Sequence, residues 1–558
     1  MRRGVLLGFA LAAVVWTGGA GAAPSPDVVL TSVKTNKVSL VGRPFYVQAV
    51  VQAVVADRAP SPRKAVVTVS AAGTTLAATS VVVRPARRVT VRLPVSLTVP
   101  GKTRLTVALG PGNARAVRVD VAEFRVRTSS VLVPSFAGYG AQFNHHVYSA
   151  LSRTAGVTDA NVADMEQKMR LLHPQFSRIF FTPQAFTDAD KMQSFVRTVV
   201  FAQSVGTDID ITWQGGTLSV AAGTVQKFAD VLTDLVRTRG VTHLRWLTLQ
   251  NEPNRTRITM DAYERQYREL DPYIQSIRGQ VRYMGGDLVR GPDTGAPNQD
   301  VWFQYIATHM SDILDAYSIH VFWDYWDTQK IVDRLKEVRA IVDALPQSGR
   351  KPVYVTEYGV RGQRTFDGVP QVDPGVWQDG TPITQTNVSA FQHALFDVLA
   401  AELGYIGTSK WDAYYGKYDS GTQAYYLIGA PQNGWPLYPM YNFMQLLTTT
   451  VKRQWGIVGV DAVPGTSRSL AAYLGKKGQQ TVVGLDAAGA QLNTVAPAPV
   501  SYSVAGLPPS KRLNVLLWNE AGDGLVGPKR VVTSDAAGMV TLSVPQQAVF
   551  VLTSLRLG

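Results

Sequence analysis

Leu247-Thr248-Leu249-Gln250-Asn251-Glu252-Pro253-Asn254 and Val353-Tyr354-Val355-Thr356-Glu357-Tyr358-Gly359 share one grammar. In each, a short apolar run of strand formers delivers a glutamate where turn formers begin. Six further runs read as strands: Tyr139–Asn144, Phe176–Phe181, Asp208–Trp213, Arg282–Asp287, Ala316–Phe322 and Ile406–Trp411. Helical patterns lie between them at Asn161–His173, Asp190–Ser204, Val220–Arg239, Asp261–Ile277, Thr328–Leu345 and Thr384–Leu403, with Asn161 read as the cap of the first. Strands alternating with helices predict a parallel sheet. Eight such units over residues 131–450 predict a (β/α)8 TIM barrel with extended loops, in which the two quoted runs are strands four and seven.

Barrels of this kind carry their chemistry at the C-terminal ends of the strands. Strands four and seven lie on opposite sides of the mouth, so Glu252 and Glu357 can flank a sugar ring. Glycoside cleavage needs such a pair: one carboxyl protonates the leaving oxygen, and in the retaining route the other attacks the anomeric carbon. That division of labour expects Glu252 protonated as the general acid/base and Glu357 ionised as the nucleophile. Asn251 is placed to hydrogen-bond the sugar 2-hydroxyl, a contact that strengthens in the transition state.

These motifs resemble those of the glycoside hydrolase clan A superfamily. Asn251-Glu252-Pro253 is similar to its acid/base motif after strand four, and Thr356-Glu357-Tyr358-Gly359 to its nucleophile motif after strand seven. The resemblance covers the barrel and implies a retaining glycosidase. By the same resemblance, Arg178 on strand two pairs with the nucleophile and keeps its pKa low. Trp411, at the end of strand eight, floors the sugar site, and His320 on strand six stands in the active site. Phe322 occupies the place where several clan members have a tyrosine, so Tyr325 is a candidate to orient the nucleophile. The order of barrel then sandwich is similar to that of the β-xylosidase/α-L-iduronidase family and its neighbours.

Aromatic residues crowd the loops after strands six and eight: Trp323, Tyr325, Trp326, Tyr414, Tyr415, Tyr425, Tyr426 and Trp435. Sugar C–H faces stack on such rings. Trp323 and Tyr325, together with Trp213 at the end of strand three and His145 after strand one, are taken as substrate-facing. His145 and His146 lack an evident third ligand for a metal, so neither metal nor cofactor is expected. A catalytically silent carbohydrate-binding protein and a transglycosylase are the alternative readings of the same scaffold.

The flanks read differently. Residues 24–130 show alternating apolar runs such as Val89-Val91-Leu93 and Val117-Val119-Val121, which predict an N-terminal β-sandwich ended by the strand Val117–Val126, with Thr128-Ser129-Ser130 as the join. Residues 451–558 return to alternation and predict a C-terminal β-sandwich. Arg2 and Arg3, the apolar stretch Val5–Trp16 and Ala20-Gly21-Ala22 read as a signal peptide over residues 1–23, hence a secreted protein with no stable membrane insertion after cleavage. The chain has no cysteine, which excludes disulfides and thiolate chemistry.

The net charge of +14 is concentrated near the N-terminus. Between Ser25 and Ser130 sixteen Lys and Arg face only Asp27, Asp57, Asp120 and Glu123, while the residues after Ser130 sum to zero. A domain this basic is suited to an anionic wall polymer or an acidic polysaccharide. Nucleic acid is not expected, because no nucleic-acid motif accompanies the charge. The expected partners are thus a carbohydrate substrate and such a polymer, with the chain a monomer.

Overall fold

The structure is a computed structural model that describes residues 28–53, 62–110, 112–216, 218, 223–256, 258–290, 299–418, 424–431, 434–492 and 498–557. The expected signal peptide lies outside these residues. The chain forms two compact units, which divide between Ala122 and Glu123.

The first unit is built from strands most of which alternate between the inside and solvent, as in Phe45–Ala53. Phe45–Ala53 pairs antiparallel with Val28–Lys34 and Arg88–Val95 in a three-stranded sheet. A five-stranded sheet runs in the order Val38–Leu40, Ala114–Ala122, Gly101–Ala108, Arg63–Ala71, Thr74–Val83. Val47 and Val51 of the first sheet and Val67, Val69, Leu105 and Val119 of the second belong to one buried apolar cluster. Burying these aliphatic residues at about 1.5–3 kcal/mol each is what holds the unit together.

The boundary corrects the expected one at residue 130. The strand Phe124–Val133 belongs to the second unit, antiparallel to Gly456–Ala462 and parallel to Pro499–Ala505. Burial explains the switch. Phe124 and Val126 join the core of Tyr502, Val504 and Phe550, and the Glu123 carboxylate accepts from Arg468 at 2.7 Å and from the Ser503 amide at 3.1 Å. Thr128-Ser129-Ser130 is no linker but a bulge: Arg127 pairs with Gly459 and Val131 with Val458, so the three residues between have no opposite number. The C-terminal strands and Phe124–Val133 form one nine-stranded sheet. Leu513 and Leu542, from opposite halves of that sheet, share one core with Leu470, Val482 and Phe550. Their strand neighbours Ala471, Val483 and Val551 point the other way, into the barrel cluster.

The barrel consists of β1 (Gly138–Ala141), β2 (Phe176–Phe181), β3 (Asp208–Trp213), β4 (Leu244–Leu249), β5 (Arg282–Val289), β6 (Ala316–Asp324), β7 (Val353–Arg361) and β8 (Gly407–Lys410). Parallel ladders join β2 through β8 in succession and β8 to β1. The remaining seam, β1 against β2, is bridged by Gln175 N–H donating to Tyr139 O (2.8 Å) and Phe143 N–H donating to Arg178 O (3.1 Å). Gly140 makes this approach possible, since a Cβ there would stand 1.7 Å from the Phe176 carbonyl oxygen. The helix Asp159–Leu172 is capped by Thr158, not Asn161. Asn161 is the third helical residue and completes a capping box with it. Two helices without a counterpart in the sequence pattern, Gln299–His309 and Pro439–Thr450, follow β5 and β8. Among the described residues no helix is long and apolar enough to cross a membrane.

Candidate active site

Glu252 stands three residues beyond β4, at φ 46°. This left-handed backbone is uncommon for a non-glycine residue and turns the side chain back over the mouth. Glu357 lies within β7, opposite. One oxygen of each carboxylate and one ring nitrogen of His320 all lie within 4.8 Å of one another. Both glutamates are buried, each 8% exposed.

Arg178 organises the floor of the site from β2. It is fully buried. Its Nη1 donates to Glu357 Oε2 (2.6 Å), its Nη2 to Asp287 Oδ2 (2.6 Å) and to Asn251 Oδ1, and its Nε to Thr212 Oγ1 (2.9 Å). Because Arg178 claims the Asn251 carbonyl oxygen, the amide Nδ2 is left to donate elsewhere. The guanidinium also lies 4.3 Å from the centre of the Phe180 ring.

Asp287, at the open end of β5, carries no signal in the sequence beyond the two glycines before it. Gly286 explains them: a Cβ there would meet the Ser318 carbonyl oxygen at 2.3 Å. Asp287 accepts from Thr356 Oγ1 (2.5 Å), and its carboxylate stands 3.5 Å from His320 Nε2. Burial opposes ionisation of Asp287, but Arg178 and His320 hold its carboxyl well below the usual carboxylate range. Below it, Asp210 accepts from Thr248 and Thr212. There burial, joined by the charge of Asp287, raises the carboxyl to about 7.

His320 ties the two glutamates together. Its Nδ1 lies 3.1 Å from Glu252 Oε1 and 3.8 Å from Glu357 Oε2. Burial disfavours the imidazolium, yet the Glu357 and Asp287 carboxylates outweigh it and raise the pKa to about 9. Glu252 Oε2 accepts from Arg255 at 3.0 Å. Burial raises the pKa of Glu252, but the hydrogen bond and charge of His320, with Arg255, bring it below its ordinary value. Burial raises Glu357, and the charge of Glu252 adds to it, against His320 and Arg178. His320, raised to about 9, carries the proton, and the two glutamates are shifted against the expected direction, Glu252 downward and Glu357 upward. Glu252, His320 and Glu357 are also a three-donor set for a metal ion. Arg178 and Arg255 already pair with its carboxylates, so a dication would stand against two guanidiniums.

Of the other residues expected here, Trp411 lies at the mouth, in an apolar cluster with Phe180, Phe322 and Tyr425. A cis peptide joins it to Asp412. Tyr418 donates to Asp412 Oδ2 at 3.1 Å and sits beside Trp411. Burial raises its hydroxyl well above the ordinary tyrosine range, with the charges of Asp412 and Glu357 adding to it, while Tyr425 is the tyrosine whose ring packs on Phe322, 5.7 Å between centroids.

Four expected site residues are elsewhere. Trp323 points outward from β6, its Nε1 donating to Gln392 and its ring stacked on Phe396 of the helix Asn387–Glu402. Tyr325 is packed against Trp326 and Trp377. Trp213 is enclosed by Phe181, Phe186 and Phe228 between strands and helices. His145 stacks on His146 against Phe195, and neither of its ring nitrogens has a partner among the described residues. Most of the loop aromatics are packed as well: Tyr414, Tyr415, Tyr426 and Trp435 are buried, and Trp326 alone of that set is exposed.

The solved structures that share this fold include three with a TM-score of 0.53. A GH30 endoxylanase from Clostridium papyrosolvens C71 superposes with a TM-score of 0.53 at 13% identity, covering 77% of this chain and 99% of its own. The endo-β1,6-glucanase BT3312 gives 0.53 at 10%, covering 79% and 96%. AbfB, a family 51 α-L-arabinofuranosidase from Bifidobacterium longum, gives 0.53 at 10%, covering 77% and 99%. No family model and no curated protein sequence matches the chain. What it shares with these glycoside hydrolases is the barrel architecture that the clan A resemblance implied.

Proposed function

We propose that this chain is a retaining glycoside hydrolase, exported by its N-terminal leader, that cleaves an O-glycosidic bond of a poly- or oligosaccharide. The observation that carries the reading is the approach of the Glu252 and Glu357 oxygens to within 4.8 Å across the mouth of the barrel. Retaining enzymes place their carboxyl groups about 5–5.5 Å apart, whereas inverting enzymes leave about 6.5–9.5 Å for a water.

Each residue has a role in such a cycle. Arg178 occupies Glu357 Oε2, so Oε1 is the oxygen left to attack the anomeric carbon. The proton that His320 shares with Glu252 passes along the 3.1 Å contact to Glu252. This neutralises the imidazole and leaves Glu357 anionic beside Arg178. Glu252 then protonates the leaving oxygen as the C–O bond breaks and the Glu357–sugar ester forms. In the second half Glu252 takes a proton from water, whose oxygen attacks the anomeric carbon and releases Glu357 as carboxylate. Asn251, oriented by Arg178, donates to a ring hydroxyl throughout.

The test is a panel of aryl glycosides and polysaccharides, with the anomeric configuration of the first-formed sugar read by NMR. Net retention is expected, with Glu357→Ala nearly inactive and partly restored by azide. An inverted first product, or a Glu357→Ala variant that keeps more than about a tenth of the wild-type rate, would contradict the assignment.

A further inference from the structure

We propose that the open face of the three-stranded sheet in the N-terminal unit binds a carboxylated polysaccharide, with Tyr46 as its stacking platform and Lys34 and Arg92 as the partners of its carboxylates. Catalysis is not involved, so the proposal does not depend on the roles of Glu252 and Glu357.

The register of the sheet fixes which side chains share this face. Phe45, Val47, Ala49 and Val51 of the middle strand are buried in the core, so Tyr46, Gln48, Val50 and Gln52 point outward. Gln48 is paired with Lys34 on one side and Arg92 on the other, which makes one row of Lys34, Gln48 and Arg92 across the three strands. With neighbouring strands about 4.8 Å apart, the two cations straddle roughly 10 Å of sheet. The next row places Tyr46 beside Pro94. At the far end Arg88 Nε donates to Gln52 Oε1 at 3.0 Å.

Three features single this face out. Tyr46 is 60% exposed, far more than a packed ring, so its face is free to stack. A concavity of about 260 Å³ is lined by Lys34, Thr35, Asn36, Tyr46, Gln48 and Arg92, which is two cations, two amides, one hydroxyl and one aromatic, with no acid. Among the described residues of this face nothing neutralises it: none of the outward positions 32, 34, 46, 48, 50, 52, 88, 90, 92 or 94 is Asp or Glu. Unpaired positive charge selects a polyanion. An exposed aromatic flanked by amides selects one with apolar ring faces and hydroxyls, which a pyranose has and a phosphate polymer lacks. Uronate-bearing sugars satisfy both demands.

The experiment uses the full chain carrying Glu357→Ala, so that no polymer is degraded, in native gels cast with polygalacturonate, neutral galactan or inorganic polyphosphate. Retardation by polygalacturonate is expected, falling as salt rises, and little by galactan. Lys34→Gln with Arg92→Gln should abolish it. Tyr46→Ala should weaken it by about fivefold or more, as loss of one ring stack would, while Tyr46→Phe retains it and neither Tyr46 variant alters retardation by polyphosphate. All three side chains are exposed, so the variants should keep the wild-type thermal midpoint. Retardation by polygalacturonate that is unchanged in Tyr46→Ala or in the Lys34/Arg92 variant overturns the proposal, as does equal retardation by neutral galactan. Each of these outcomes leaves the glycosidase reading untouched.

Discussion

Replacing Asp287 by alanine should be among the most damaging single changes in the barrel. The carboxylate is fully buried and holds three groups at once: Arg178 Nη2 at 2.6 Å, the Thr356 hydroxyl at 2.5 Å and the His320 ring at 3.5 Å. Its loss leaves part of a buried guanidinium uncompensated and a buried hydroxyl without its acceptor. Breaking a buried pair in this way costs about 3–5 kcal/mol, which is a large share of the roughly 5–15 kcal/mol that holds a typical protein folded. The assay is urea unfolding at pH 7 followed by tryptophan fluorescence, for wild type, Asp287→Ala, Arg178→Met and the double variant. The double variant should lose less than the sum of the two single losses, because removing both partners leaves no orphaned charge at this pair. A single-variant loss below about 0.5 kcal/mol, the range of an ordinary surface change, would refute the reasoning. So would strict additivity in the double variant.

Glu252→Gln is expected to suffer most on glycosides with poor leaving groups, and equal losses in kcat/KM on activated and unactivated substrates would count against its acid role. The raised pKa of His320 favours the folded state while the ring is charged, so its stabilisation is full below pH 6.5 and is lost as pH rises through about 9. Urea midpoints from pH 6 to 10 should show this alkaline decline in wild type, and His320→Gln should flatten it. Gly140→Ala drives a Cβ to 1.7 Å from the Phe176 carbonyl and must prise the β1–β2 seam apart, so it should cost more than about 4 kcal/mol or abolish soluble expression.

The sequence by itself determined the barrel and the candidate glutamate pair at its mouth. Eight short strand patterns, six of them followed by a helical pattern, leave little choice of architecture. Glu252, Glu357, Asn251 and Trp411 were legible as candidates because each sits at or near the open end of a strand, and Arg178, the third residue of β2, through the clan resemblance. Tertiary structure decided the rest. Both faces of a parallel barrel strand are buried, so an apolar run does not reveal which residues look inward and which meet the helices. Trp213 and Trp323 went to the helical side, where Phe228 and Phe396 receive them. Asp287 and Asp210, short acids inside apolar strands, became part of the site because Arg178 reaches across the barrel floor to them, a contact spanning 109 residues in the case of Asp287. The edge of the N-terminal unit moved for the same kind of reason. Phe124 and Val126 continue the alternation of the strand before them, and only the cores competing for their side chains settle which sheet they join. The proton's resting place on His320 likewise arises from three carboxylates converging on one ring, an electrostatic sum over distant residues that no local pattern records.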